Sequence, residues 1–132
     1  MDDFEPSVHR KYCCLKTFQY AWKGIQYLFR TQPNARIHLS IFFIAIVLGF
    51  FLSISRMEWL ALLLVAALVL VAEGINTAIE ILGDEIADGK WKNLVGRAKD
   101  VSAGAVLLAA VFSVIIGMVI FIPHIIQFFV HL

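Results

Sequence analysis

The sequence predicts an all-α integral membrane protein, with an N-terminal amphipathic surface helix followed by three transmembrane helices. Of its 132 residues, 61% are apolar and only 16% are charged, whereas an average soluble domain has about 25% charged residues. Apolar runs of roughly the length that a bilayer requires occur three times, and helical periodicity precedes the first. We predict one domain over residues 1–132. The net charge of +1 gives no indication of nucleic-acid binding.

The predicted surface helix covers residues 7–31. Its apolar side chains are spaced by three and four residues, whereas lysine and glutamine occupy its other faces. Basic and aromatic side chains on such a helix suit the interface of an anionic leaflet. Pro33 disfavours helical geometry in the residue before it and is well suited to the first turn of a helix. We therefore expect the surface helix to end near Thr31.

The predicted transmembrane helices cover residues 36–55, 58–82 and 99–122. The first contains no charged residue after Arg36, and the second is apolar until polar residues interrupt its last turns. The third is the most uniformly apolar, and we place its end at Pro123.

Lysine and arginine are distributed unevenly along the chain. Six occur up to and including Arg36 at the start of the first span, one lies in the first loop, four lie between Lys90 and Lys99, and none follows the third span. Cytoplasmic loops carry the excess of Lys and Arg. We therefore expect a multi-pass protein of the cytoplasmic (inner) membrane, with its N-terminus in the cytoplasm and its C-terminus outside.

A stripe of polar residues runs along the second predicted span. Glu73, Asn76, Glu80 and Asp84 lie within roughly 80° of one another on a helix with about 100° per residue. A carboxylate in the hydrocarbon region costs about 2.5 kcal/mol or more, so the stripe must face protein, water or cations. A purely structural stripe remains an alternative, but the pattern favours a functional site.

A second charged segment lies where the third span begins. Gly96-Arg97-Ala98-Lys99-Asp100 places two cations and a carboxylate at the depth of the polar stripe. Carboxylates that bind a divalent cation, beside cations that neutralise phosphates, are the groups that phosphoryl transfer needs. The sequence contains neither a Walker loop nor a protein-kinase catalytic loop. We therefore expect a kinase of another type that acts on a membrane lipid.

These motifs resemble the small membrane-bound prokaryotic diacylglycerol kinase and undecaprenol kinase family. The resemblance rests on Glu73-Gly-Ile-Asn-Thr-Ala-Ile-Glu80, Asp84, Gly96-Arg-Ala-Lys-Asp100 and Gly104-Ala-Val-Leu107, with Trp22-Lys-Gly24 and Ala35-Arg-Ile-His38 upstream. It covers residues 12–122. It implies a homotrimer with active sites shared between protomers, which uses ATP and Mg²⁺ to phosphorylate undecaprenol or diacylglycerol to the lipid monophosphate.

The resemblance also implies roles for individual residues. Glu73 resembles the general base that takes the proton of the lipid hydroxyl, and Glu80 resembles a ligand of the magnesium ion on ATP. Asn76, Lys99 and Asp100 resemble residues that bind the nucleotide, and Tyr20 aligns with an aromatic residue near ATP. Gln32 stands where the family commonly has a second metal-binding glutamate. Its amide oxygen can coordinate a metal but adds no charge.

The lipid substrate depends on smaller differences within the family. Thr77 and Gly104 lie in segments that resemble the undecaprenol-kinase branch, which we favour over diacylglycerol. The loop before Gly96 is longer than in the best-known relatives and carries Lys90 and Lys92, which are candidates for phosphate contacts. Two alternatives remain at this stage: a small oligomeric transporter or channel, and an inactive kinase-like membrane protein.

Overall fold

A computed structural model describes residues 14–90 and 92–130 of the chain. These residues form four α-helices: α1 (Cys14–Thr31), α2 (Pro33–Phe51), α3 (Arg56–Ala87) and α4 (Asn93–Val130). The helices α2, α3 and α4 are long and apolar enough to cross a membrane, and α1 is amphipathic. This confirms the predicted fold class. Residues 7–13 of the predicted surface helix lie outside the described residues.

The break between α1 and α2 lies where the proline predicts it. α1 ends at Thr31, Gln32 is extended with φ −101° and ψ 107°, and Pro33 occupies the first turn of α2. Leu28 of α1 approaches α3 at Gly74, where a Cβ atom would lie 3.9 Å from Leu28 Cδ2. The surface helix therefore packs beside the segment of α3 that carries the polar stripe.

The connection between α2 and α3 is short and well capped. α2 ends at Phe51, within the predicted span 36–55, because Ser53 adopts a positive φ of 52° that a helix does not allow. Ser55 caps α3: its hydroxyl accepts from the Glu58 N–H (3.3 Å), and the Glu58 carboxylate accepts from the Ser55 N–H (2.7 Å). This reciprocal capping box fixes the start of α3.

An apolar cluster lies at the end of the bundle that contains this connection. It consists of Ile54, Leu62 and Ile120, which are buried where α4 crosses the beginning of α3. Gly49 of α2 contacts Trp59 so closely that an added Cβ would lie 2.9 Å from the indole ring. We call this region the apolar end, and the end at the connection 88–92 the polar end.

α3 and α4 form the most extensively packed helix pair. Asp88 (φ 50°) and Gly89 (φ 67°) reverse the chain between them through left-handed backbone conformations. α4 passes through Pro123 and ends at Val130, so the predicted end of the third span does not coincide with the end of the helix. A proline removes only one N–H donor, and transmembrane helices tolerate that loss.

Most large apolar side chains of the three long helices point away from the rest of the chain. An exposed apolar surface of this extent is expected of a protein that is covered by lipid or by other subunits. The buried interior is correspondingly small. It includes four polar residues, all on α3 or α4: Glu73, Asn76, Thr77 and Ser102.

Candidate active site

The polar stripe of α3 runs from a buried to an exposed environment. Glu73 is only 2% exposed, and Asn76 and Thr77 are also buried, whereas Glu80 is half-buried and Asp84 is exposed. The first part of the stripe therefore faces protein, as the cost of an isolated carboxylate in a membrane requires. Glu80 and Asp84 lie where α3 approaches the connection 88–92.

A hydrogen-bonded network joins the stripe to α4. The Ser102 hydroxyl lies 2.6 Å from Asn76 Oδ1 and 2.9 Å from the Lys99 carbonyl oxygen, and its single proton can be donated to one of them at a time. Asn76 Nδ2 donates to Glu80 Oε1 at 3.0 Å. Because both ends of the Asn76 amide are engaged, Glu80 is held through a chain that begins on the neighbouring helix.

The carboxylate of Glu73 is buried without full hydrogen bonding. Among residues 14–90 and 92–130, its Oε1 atom has no hydrogen-bond partner, and the Nε2 atom of His38 on α2 lies 3.5 Å from it. Thr77 donates to the backbone carbonyl of Glu73 (2.8 Å) and does not reach the carboxylate. A buried polar atom without a partner is rare in native proteins and costs about 1–3 kcal/mol. Such an atom is typical of a site where a further group binds or reacts.

Lys99 of α4 is paired across the helix interface. Its Nζ donates to Asp84 Oδ1 at 2.5 Å. The absence of a side chain at Gly83 permits this close approach, because a Cβ there would lie 3.2 Å from Lys99 Cε and 3.1 Å from Val95 Cγ1. A cavity of about 400 Å³ lies beside the pair, and Lys90 and Lys99 are among the residues that line it. The polar end therefore has a cationic cavity next to the carboxylates.

The other predicted site residues stand apart from this network. Tyr20 is exposed on α1 beneath the Lys23 ammonium group, which lies 5.8 Å from the ring centroid. Gln32 lies between α1 and α2, and its side chain forms no capping hydrogen bond. Asp100 is exposed on α4. Within residues 14–90 and 92–130, no hydrogen bond or ion pair connects these three to the network, and no three His, Cys, Asp or Glu residues are grouped to hold a metal.

Sequence reasoning missed two residues of the site. Neither Ser102 nor His38 is among the predicted site residues, although His38 lies in a segment of the family match. Ser102 lies three residues after Lys99 and therefore shares its helix face, which is a usable signal once Lys99 is singled out. His38 carries no such signal, because its approach to Glu73 depends on how α2 packs against α3.

Three membrane-length helices that carry a buried carboxylate and a connected polar network define an integral membrane protein with a polar site inside its helical bundle. The family model for prokaryotic diacylglycerol kinase matches residues 19–121. The chain belongs to this family, whose members are membrane lipid kinases that use ATP.

Individual relatives agree with this family. The chain is 37% identical to a diacylglycerol kinase of Synechocystis over 88% of its own length, and it spans 66% of the length of that protein. It is 39% identical to the undecaprenol kinase of Bacillus subtilis, over 82% of this chain and 87% of the relative. Identity to the diacylglycerol kinase of Escherichia coli K12 is 29%, over 83% of this chain and 89% of the relative.

Proposed function

We propose that this protein transfers the γ-phosphoryl group of ATP to the hydroxyl of a membrane lipid, with Mg²⁺, and that undecaprenol is the preferred acceptor. The observation that carries the proposal is the buried Glu73 carboxylate, which has one oxygen without a partner and lies one turn from Asn76 in the network that holds Glu80. A site of this kind lets a lipid hydroxyl and a phosphate group meet at the edge of the membrane.

The chemistry follows from these positions. The lipid oxygen attacks the γ-phosphorus, Glu73 takes the hydroxyl proton, a new phosphorus–oxygen bond forms, and ADP leaves with the electrons of the broken bond. General base catalysis of this type contributes roughly 10²–10⁴-fold to a rate. The remaining acceleration comes from holding the two substrates in line and from stabilising charge on the phosphoryl oxygens.

The residues present fit a magnesium ion that is bound together with ATP. The amide of Asn76 engages Glu80 Oε1, which leaves Glu80 Oε2 as a hard oxygen ligand. Magnesium in nucleotide sites is usually held by one or two carboxylates together with phosphate oxygens, so a large protein cage is not needed. Glu80 would be the charged ligand and the Gln32 amide oxygen the neutral one. When bound, the ion supplies charge neutralisation at the phosphates.

Nucleotide binding is assigned to the polar end. Lys99 is positioned to exchange Asp84 for a phosphate group, and the cavity that also receives Lys90 and Lys92 gives the phosphates a cationic surface. Asn76, Asp100 and Tyr20 complete the proposed nucleotide site. Tyr20 and Asp100 are exposed in the single protomer, which supports a homotrimer in which neighbouring chains complete each site. The excess of lysine and arginine at this end supports a cytoplasmic location for it.

The choice of undecaprenol rests on the matched sequences. Identity is 39% to the undecaprenol kinase of Bacillus subtilis and 29% to the diacylglycerol kinase of Escherichia coli K12, at similar coverage. The chain is also 37% identical to the Synechocystis diacylglycerol kinase, so diacylglycerol is the alternative acceptor. Diacylglycerol is therefore tested alongside undecaprenol.

The test is phosphate transfer from labelled ATP by the purified full-length protein, with each lipid offered separately and with Mg²⁺ present or omitted. We expect a magnesium-dependent lipid monophosphate, formed faster from undecaprenol. In Glu80→Ala, turnover should be lost while light scattering still reports a trimer. A folded trimer that binds neither ATP nor Mg²⁺ and phosphorylates neither lipid would contradict the proposal and favour a transporter or channel. Retained ATP binding without turnover would favour an inactive kinase-like protein.

A further inference from the structure

His38 is an ionisable side chain that lies beside Glu73, and the proposed reaction gives it no role. It lies on α2, one helix away from the residues of the network, and its side chain is 25% exposed. The imidazole also lines a mainly apolar cavity of about 260 Å³ between α2, α3 and α4, together with residues such as Ala45, Val69 and Gly117. His38 therefore lies between the cavity and the buried carboxylate.

The geometry makes His38 the natural hydrogen-bond donor to Glu73. Its Nε2 atom is 3.5 Å from Oε1, the same oxygen that lacks a partner. This is slightly beyond the 2.7–3.2 Å of an N–H···O bond, so the two atoms lie close to hydrogen-bonding distance. Among the described residues, the charged or titratable groups that face Glu73 are His38 from α2 and Glu80 from α3 itself. Lys99 of α4 is paired with Asp84.

We propose that His38 is a positioning residue for Glu73: a neutral imidazole donates its Nε2 proton to Oε1 and thereby leaves Oε2 directed at the lipid hydroxyl. The proposal rests on the assignment of Glu73 as the base. Hydrogen bonding by a second residue is the common way in which proteins fix the orientation of a catalytic carboxylate or imidazole.

Protonation of His38 has a defined consequence for the rate. An imidazolium group beside Glu73 would form an ion pair with the carboxylate and would oppose transfer of the hydroxyl proton to it. Histidine is the side chain that ordinarily changes charge between about pH 5 and 8. Protonation of His38 should therefore lower the turnover number of the wild-type protein, and removal of the imidazole should remove that part of the pH profile.

The chain contains a matched control. His124 of α4 lies at the apolar end with its Nε2 atom 3.6 Å from Glu58 Oε2, and its side chain is 24% exposed. The two His–Glu pairs thus have nearly the same separation and the same histidine exposure. His124 is far along α4 from the network residue Ser102, so His124→Phe removes an equivalent pair without touching the proposed site.

The experiment measures kcat, KM for ATP and KM for lipid from pH 5.5 to 9 in wild type, His38→Gln, His38→Phe and His124→Phe. We expect a kcat decrease of roughly 10–100-fold in His38→Phe, with KM for ATP unchanged, because the lost interaction acts on the chemical step. His38→Gln should retain more activity than His38→Phe, since its amide can still donate a hydrogen bond. It should lose the decrease in kcat at acidic pH (the acidic limb of the pH profile), because an amide does not take up a proton. His124→Phe should keep the wild-type kcat and pH profile.

Two results would overturn the inference in an active enzyme. One is a wild-type kcat in His38→Phe. The other is an unchanged acidic limb in His38→Gln, which would reduce His38 to a packing residue. If His38→Phe does not assemble, the pH profile of kcat in His38→Gln is the test of the inference.

A readout independent of turnover separates this inference from the proposed function. In protein labelled with ¹⁵N-histidine, the Nε2 resonance of His38, assigned by its loss in His38→Gln, should shift on Glu73→Gln and stay unchanged on Glu58→Gln. If the Nε2 resonance of His38 does not shift in Glu73→Gln, the His38–Glu73 pair does not form. Absence of turnover in the wild-type protein, with the expected shift present, would contradict the proposed reaction and not the pairing.

Discussion

The molecule contains two histidine–glutamate pairs of nearly equal geometry in opposite environments. At the apolar end, Glu58 is 28% exposed, accepts from the Ser55 N–H in the capping box, and faces His124 at 3.6 Å. Inside the bundle, the Glu73 side chain is 3% exposed, its Oε1 has no hydrogen bond within the described residues, and His38 lies at 3.5 Å.

The difference separates a carboxylate that caps a helix from one that is buried and unsatisfied, and it supports the proposed role of Glu73 as the base. Glu58 is satisfied by the backbone at a helix start, where a carboxylate also interacts favourably with the helix dipole. His124 is likewise held, because its Nδ1 lies 2.9 Å from the Ile120 carbonyl oxygen. Glu73 remains unsatisfied in the interior of a helix bundle, where the cost of a charge is greatest.

The largest expected contrast in kcat is between glutamine substitutions at the two glutamates. Glu73→Gln should lower kcat by roughly 10²–10⁴-fold while ATP and Mg²⁺ still bind, because an amide cannot accept the hydroxyl proton. Glu58→Gln should leave kcat unchanged. Phosphate transfer and nucleotide titration of both variants check this. Wild-type turnover in Glu73→Gln would exclude Glu73 as the base.

A smaller contrast in kcat is expected between two serines of α4, Ser102 and Ser113, of which Ser102 belongs to the hydrogen-bonded network. Ser102→Ala removes the hydroxyl that contacts Asn76, so the amide that holds Glu80 loses its anchor. With about 1.4 kcal/mol lost, kcat should fall roughly tenfold. Ser113→Ala is the control, because the Ser113 hydroxyl donates only to the Ala110 carbonyl of its own helix. Equal activities in the two variants would show that the network does not position Glu80.

At the apolar end, the expected effect is on stability alone. Ser55→Ala breaks the capping box and should lower the free energy of unfolding by about 1 kcal/mol, with kcat unchanged. Thermal unfolding in detergent, run beside the activity assay, measures both quantities. A loss of kcat without loss of stability would mean that the two ends are coupled.

The smallest expected effect concerns the metal. Gln32→Glu adds a negative charge at a side chain that forms no capping hydrogen bond, so it should lower the Mg²⁺ concentration for half-maximal rate by a few-fold. Gln26→Glu, an exposed position on α1, controls for added surface charge. An unchanged Mg²⁺ dependence in Gln32→Glu would remove residue 32 from the metal site.

The sequence by itself determined the helices and the family. The length of the apolar runs requires membrane helices, Pro33 separates α1 from α2, and helical periodicity places Glu73, Asn76 and Glu80 on one face. These are local properties, because a helix fixes the relative directions of side chains within a few turns. The order and spacing of polar residues in such a span were enough to identify a resemblance to a lipid kinase family, which the comparison with relatives confirms.

Only the tertiary structure decided which of these residues meet. Ser102 and Asn76 are 26 residues apart, Lys99 and Asp84 are 15 apart, and His38 lies on a different helix from Glu73. These contacts depend on the rotation and depth at which α2 and α4 pack on α3, which no periodicity specifies. The structure likewise decided that α4 continues past Pro123, since packing and a low-dielectric surrounding favour a continuous helix over the local preference of one proline.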